Sequence, residues 1–101
     1  MHVLFIVLSL LAPQRAATFE EAKSLATNGD MPIMLYANGS DWCSICETLK
    51  EEVWDQETDV VGVVFVSVDV LETPTDESKE ANKGFDTNKV RTYPSIFALT
   101  P

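Results

Sequence analysis

The chain has 101 residues, enough for one domain and too few for two. Apolar residues make up 46%, the level of a packed protein rather than a disordered one. Seven Lys and Arg stand against 16 Asp and Glu, a net charge of −9, which argues against nucleic acid and anionic membrane surfaces as partners: both need a cationic face to neutralise phosphate.

Val3 to Ala12 reads VLFIVLSLLA, an uncharged run. It is too short to cross a bilayer as a helix, which takes ~20 residues. It has the character of the apolar core of a secretory signal, with small residues at Ala16 and Ala17, so residues 1–17 are expected to be a cleaved leader. The fit is incomplete, since no Lys or Arg precedes the run and Arg15 stands at −3 for a cut after Ala17. The competing reading is a buried first strand or helix. Export places the protein in the periplasm or outside the cell, where disulfides persist. Once the leader is removed, it is not an integral membrane protein, and it is expected to be a monomer.

Thr18-Phe19-Glu20-Glu21 reads as a capping box opening a helix, with Phe19, Ala22, Leu25 and Ala26 at helical spacing and Asn28-Gly29 as the stop. Met31–Ala37 is a nearly continuous apolar run, as expected of a central strand covered on both faces, with Pro32 at its beginning. A turn at 38–41 leads to a helix from about Cys43 to Val53, with Ile45, Leu49 and Val53 on one stripe. Val60–Val68 is the strongest strand signal, ended by Asp69. Thr73-Pro74 is expected to open a third, weakly patterned helix, and Ser95–Leu99 forms the last strand. The order is helix, strand, helix, strand, helix, strand. A right-handed crossover around Cys43 makes its flanking strands parallel, which gives an α/β sheet with helices on its faces. Trp54 and Phe85 are core candidates.

His2, beside the initiator, is the only histidine. With the leader gone, Cys–His and Ser–His–Asp catalysis and His-based metal sites are excluded. The only cysteines, Cys43 and Cys46, form one C-x-x-C, and no second pair completes a four-cysteine zinc site. On the first turn of a helix, residues i and i+3 face the same side, so the sulfurs can bond. A cysteine at the helix start is favoured as thiolate by unpaired amides and the helix dipole. Cys43 is then the nucleophile and Cys46 the resolving thiol. An inert structural disulfide and half of a zinc site shared between chains are the alternatives that spacing leaves open. Asp41 and Glu47 flank the pair and oppose thiolate formation by like charge, unless they merely form a solvated face.

Gly39-Ser40-Asp41-Trp42-Cys43-Ser44-Ile45-Cys46 resembles the G-S-D-W-C-x-x-C signature of bacterial exported proteins of the thioredoxin superfamily. Val90-Arg91-Thr92-Tyr93-Pro94-Ser95 is similar to that family's V-R-x-[YF]-P-[ST] motif, and Val68-Asp69 matches its strand end. The resemblance runs from Thr18 to the C-terminus. It implies a thioredoxin-like fold, a mixed central sheet with helices on both faces, and a cis Tyr93–Pro94 bond facing the dithiol. It also implies that Trp42, Tyr93 and Pro94 hold the substrate; for Trp42 the plainer reading is an ordinary packing aromatic.

Three features depart from the pattern. Ser44-Ile45 replaces the Gly-Pro of typical thioredoxins. Ile33–Ala37 offers no counterpart to the buried acid many of them carry on this strand. The family continues past this point through a turn, a strand and a C-terminal helix, so the domain, residues 18–101, is expected to be truncated after the cis-proline strand or to be minimal. The function so implied is thiol–disulfide exchange on protein thiols and disulfides through Cys43 and Cys46. It needs a redox partner to reset the dithiol, with no cofactor and no metal. The rival is a non-catalytic thioredoxin-fold binding module with a structural disulfide.

Overall fold

The computed structural model describes residues 14–56 and 60–100. Strands β1 (Gln14–Ala16), β2 (Ile33–Asn38), β3 (Val64–Asp69) and β4 (Ser95–Leu99) form one sheet in the order β1-β3-β2-β4. β3 runs parallel to both β1 and β2, while β4 is antiparallel to β2. Helices α1 (Phe19–Gly29), α2 (Ser44–Glu52) and α3 (Asp76–Ala81) and two short 3₁₀ turns, Trp54–Gln56 and Thr87–Lys89, complete the elements of the described residues. This is the mixed, helix-flanked sheet that the sequence implied.

Each sheet face has its own core. Alternation along β2 and β3 sends Ile33, Leu35, Ala37, Val64, Val66 and Val68 to one face, where Phe19, Ala22 and Ala26 of α1 cover them. Phe85 and Val90 join the same cluster. Tyr36 and Phe65 point to the other face, where they meet Trp54 and Leu49. β2 is bonded on both edges and nearly all buried, as its apolar run predicted.

The local signals differ from the structure in several places. Thr18 caps α1 by accepting the Glu21 amide at 3.1 Å, but the complete, reciprocal box lies at α3, between Thr75 and Ser78. Gly29 ends α1 as a helical residue, and Asp30 takes the left-handed conformation (φ 52°) while its amide bonds the Ala26 and Thr27 carbonyls. A Cβ at Gly29 would lie 2.6 Å from the Met31 side chain. The valine-rich run yields a strand only from Val64, because pairing begins where Ile33 and Gln14 stand opposite; Val60 and Val61 remain exposed. Thr75, not Thr73-Pro74, opens α3. The expected stripe on α2 is only partly a core face. Leu49 packs inward, whereas Ile45 and Val53 are exposed, Ile45 on the helix flank and Val53 at a C-cap with non-helical geometry.

The reading of residues 1–17 as a leader leaves no strand ahead of α1. Residues 1–13 of the expected leader lie outside the described residues, but Gln14–Ala16, within that stretch, pair with Val64–Val66 as β1. Arg15 ties β1 to the far end of the second core. Its Nη2 donates to the Trp54 carbonyl at 2.8 Å, and its guanidinium lies 5.0 Å from the Phe65 ring centroid and 5.8 Å from that of Trp54. Arg15→Ala removes a charged hydrogen bond and a cation–π contact at an exposed position. It is expected to lower stability by about 1 kcal/mol, seen as a melting temperature lower by several degrees with the transition still cooperative.

Candidate redox site

β2 ends at Asn38 and the chain turns through residues 39–42 into Cys43, the N-cap of α2. The turn is closed by the Trp42 and Cys43 amides, which donate to the Gly39 carbonyl at 3.2 and 2.8 Å. Trp42 folds its indole back over Gly39 so closely that a Cβ there would lie 2.2 Å from Nε1, so no side chain fits. The indole N–H donates to the Val70 carbonyl at 2.8 Å, and the ring meets Tyr93 edge-on at 5.1 Å between centroids. Trp42 keeps 47% of its surface exposed.

The same loop is fastened to the end of β3. Both the amide (2.8 Å) and the hydroxyl of Ser40 donate to the Asp69 carboxylate, and the Asp69 carbonyl in turn accepts from the Asn82 amide group at 2.9 Å. The Asp41 carboxylate accepts the Glu72 amide at 3.0 Å. The acid expected to crowd the thiolate therefore also staples two loops together. Glu47 lines a shallow depression of about 420 Å³ with Ser40, Asp41, Trp42, Cys43 and Ser44. Lys50 is engaged elsewhere, 2.9 Å from Asp55.

Cys43 and Cys46 are joined in a disulfide, with Cα atoms 5.3 Å apart. The two are unlike. Cys43 is partly exposed and its sulfur accepts the Cys46 amide at 3.3 Å, whereas Cys46 is fully buried. The Tyr93–Pro94 peptide is cis, as the motif implied, and Ser95, directly after it, pairs with Ala37 near the end of β2. The structure thus puts Trp42, Cys43 and Tyr93 at one end of the sheet, with Pro94 in the connection between Tyr93 and β4. Among the described residues no group of three or more His, Cys, Asp or Glu could hold a metal ion, and no helix is long and apolar enough to cross a membrane.

Sequence reasoning passed over four residues of this neighbourhood. Ser40 and Asp69 appeared only as parts of motifs, although together they hold the loop. Asn38, 2% exposed, is the buried polar residue at the end of β2; its amide group donates to Ser67 Oγ at 3.1 Å, and as a neutral group it exchanges no proton. Tyr36, entirely buried, donates its hydroxyl to the Cys46 carbonyl at 2.6 Å. Alternation along the strand was the available signal, since it sets Tyr36 opposite Leu35 and Ala37.

A family model described as thioredoxin-like matches residues 14–101. The chain belongs to the thioredoxin-like family. Among solved structures it is similar to a DsbH oxidoreductase, with a TM-score of 0.65 and 20% identity over 90% of this chain and 68% of that one. No curated protein matches the chain at a significant level. The family match begins at Gln14 and so takes in β1 with the rest of the thioredoxin-like domain.

Burial holds both tyrosines of this thioredoxin-like domain above the ordinary phenol value of 10.0; for Tyr36 the charges of Glu47 and Asp55 add to the effect. Each hydroxyl stays protonated and able to donate through the neutral range. A raised folded-state value means the native state keeps a proton the unfolded chain releases. The associated stability is therefore complete below pH 10 and is lost as pH rises through the folded values. An ultraviolet phenolate titration is expected to show both tyrosines ionising above pH 10 in the folded protein, and stability measured by denaturant should fall over the same range.

Proposed function

We propose that the domain exchanges disulfides with other proteins through Cys43 and Cys46. The observation that carries this reading is the asymmetry of the pair: a partly exposed Cys43 at the N-cap of a nine-residue helix, one turn ahead of a fully buried Cys46. In reduction, the Cys43 thiolate attacks one sulfur of a substrate disulfide. A Cys43–substrate bond forms and the other substrate sulfur leaves as a thiolate, taking up a proton. Cys46, deprotonated, then attacks Cys43 Sγ, closes the intramolecular disulfide and expels the second substrate thiol. Two electrons have passed from the dithiol to the substrate. Oxidation of a substrate dithiol is the reverse sequence, starting from the disulfide form. A redox partner resets the pair in either direction.

The surroundings of Cys43 support protein substrates. Trp42 presents nearly half of its surface beside Cys43 and touches Tyr93, and with Pro94 they are proposed to hold the substrate chain. Export is proposed from the apolar run at 3–12, which suits a compartment where dithiols cycle. The pairing of β1 favours a cut ahead of Gln14, since a cut after Ala17 removes that strand. Mass spectrometry of the mature chain is expected to give an N-terminus at or before Gln14, and one at Thr18 would refute this.

Cys43→Ser is expected to abolish reduction of a model protein disulfide. Cys46→Ala should keep the attack and lose the release, so that mixed disulfides accumulate through Cys43 and can be recovered with their partners. A wild-type disulfide that resists strong reductant, together with a Cys46→Ala variant that traps nothing, would instead establish a structural disulfide in a binding module.

A further inference from the structure

Tyr36 lies in the middle of β2 with none of its surface exposed, and its hydroxyl is 2.6 Å from the Cys46 carbonyl. The ring stacks on Trp54 (centroids 5.2 Å apart, planes at 29°), and Trp54 packs edge-on against Phe65. The rest of the pocket is apolar, from Met34, Leu49 and Val63. A phenylalanine would fill that space without the cost of burying a hydroxyl among apolar side chains, a cost removed only by a good hydrogen bond. The bond made here goes to the one residue of α2 that is both buried and part of the redox pair. A helix carbonyl has two lone pairs and the helix occupies one, so the Cys46 oxygen accepts the phenol without giving up its place in α2.

We propose that Tyr36 is a positioning residue for the resolving thiol, its hydroxyl fixing the Cys46 peptide on the central strand so that Cys46 Sγ stays in line with Cys43 Sγ; this rests on the exchange reaction proposed above. The two cysteines are held by separate devices. Cys43 follows the loop bonded through Ser40, Asp41 and Trp42 to the β3–α3 side. Cys46 is fastened to the sheet through Tyr36. Loss of the hydroxyl therefore acts on one step of the reaction. The first attack uses Cys43 alone. In the second, the Cys46 thiolate forms the Cys43–Cys46 bond and breaks the Cys43–substrate bond, and its rate depends on how well Cys46 is oriented in a mixed disulfide that has already formed.

Tyr36→Phe keeps the ring, its stacking and the buried volume. Acid-quenched single-turnover reaction of the reduced full chain with a disulfide-bonded peptide separates the two steps. Mixed-disulfide formation is expected to stay within twofold of wild type, and release to slow about tenfold, so that the mixed disulfide builds up. Met34→Ala, which thins the same apolar cluster without touching the hydroxyl, should lose stability and keep the wild-type ratio of the two rates. Equal slowing of both steps by Tyr36→Phe, unchanged release, or the same delay in Met34→Ala would overturn the proposal. A second readout is independent of turnover. In the reduced protein, iodoacetamide should label Cys46 several-fold faster in Tyr36→Phe than in wild type, with Cys43 unchanged, and equal labelling of Cys46 refutes the positioning role. If wild-type protein forms no mixed disulfide, the exchange reading fails on its own, while the labelling still decides whether Tyr36 holds Cys46.

Discussion

The site depends on the two-sided pairing of β2. Ile33–Asn38 is bonded to Val64–Asp69 on one edge and to Ser95–Leu99 on the other, one parallel and one antiparallel. Parallel pairing brings the C-terminal ends of β2 and β3 together, and antiparallel pairing brings the start of β4 to the same place. The loop into Cys43, the Val70 segment and the Tyr93–Pro94 connection are neighbours for that reason. Residues far apart in sequence then meet directly: Trp42 reaches Val70 across 28 positions and packs on Tyr93 across 51.

Around that junction, polar bonds hold the loops and apolar packing holds the helix. The loop before the dithiol has little to bury, so its position comes from hydrogen bonds to fixed groups: Ser40 on Asp69, Trp42 on the Val70 carbonyl, and Asp41 on the Glu72 amide. Aspartates that would otherwise add to an already acidic surface here accept backbone or hydroxyl protons, the use for which a carboxylate is best suited. Helix α2 is held differently, by Leu49 against the cluster of Tyr36, Trp54 and Phe65 and by one hydroxyl bond from Tyr36 to the carbonyl of the buried Cys46. Those side chains also explain the presence of β1. Arg15 covers the Phe65 and Trp54 rings from the outer edge of the sheet, so the short first strand protects the core beneath α2.

Much of this was legible because it is local. A β-branched or apolar run of strand length, a threonine three residues before a glutamate, and a C-x-x-C followed by helical residues each constrain their own backbone within a few positions. Hence β2, β4, the cap of α1 and the start of α2 stand where the residues put them. The Trp42-Cys43 and Tyr93-Pro94 motifs went further only because two distant patterns matched one known arrangement.

What local signals miss is decided by partners. β1 is three residues with no pattern of its own, and it exists because β3 offers a free edge opposite Val64–Val66. The same pairing trims the valine run to begin at Val64. Ile45 and Val53 have the spacing of a core stripe yet remain exposed, because the depth of Cys46 and the irregular end of α2 fix which side of that helix meets the sheet. Tyr36 read as one more apolar residue of a buried strand; its place in the site depends on a carbonyl ten residues later that only the seating of α2 brings within 2.6 Å. The sequence by itself determined the chemistry available, two thiols one helical turn apart. The tertiary structure decided what holds each of them in place, since long-range hydrogen bonds depend on the elements packed above and beside them.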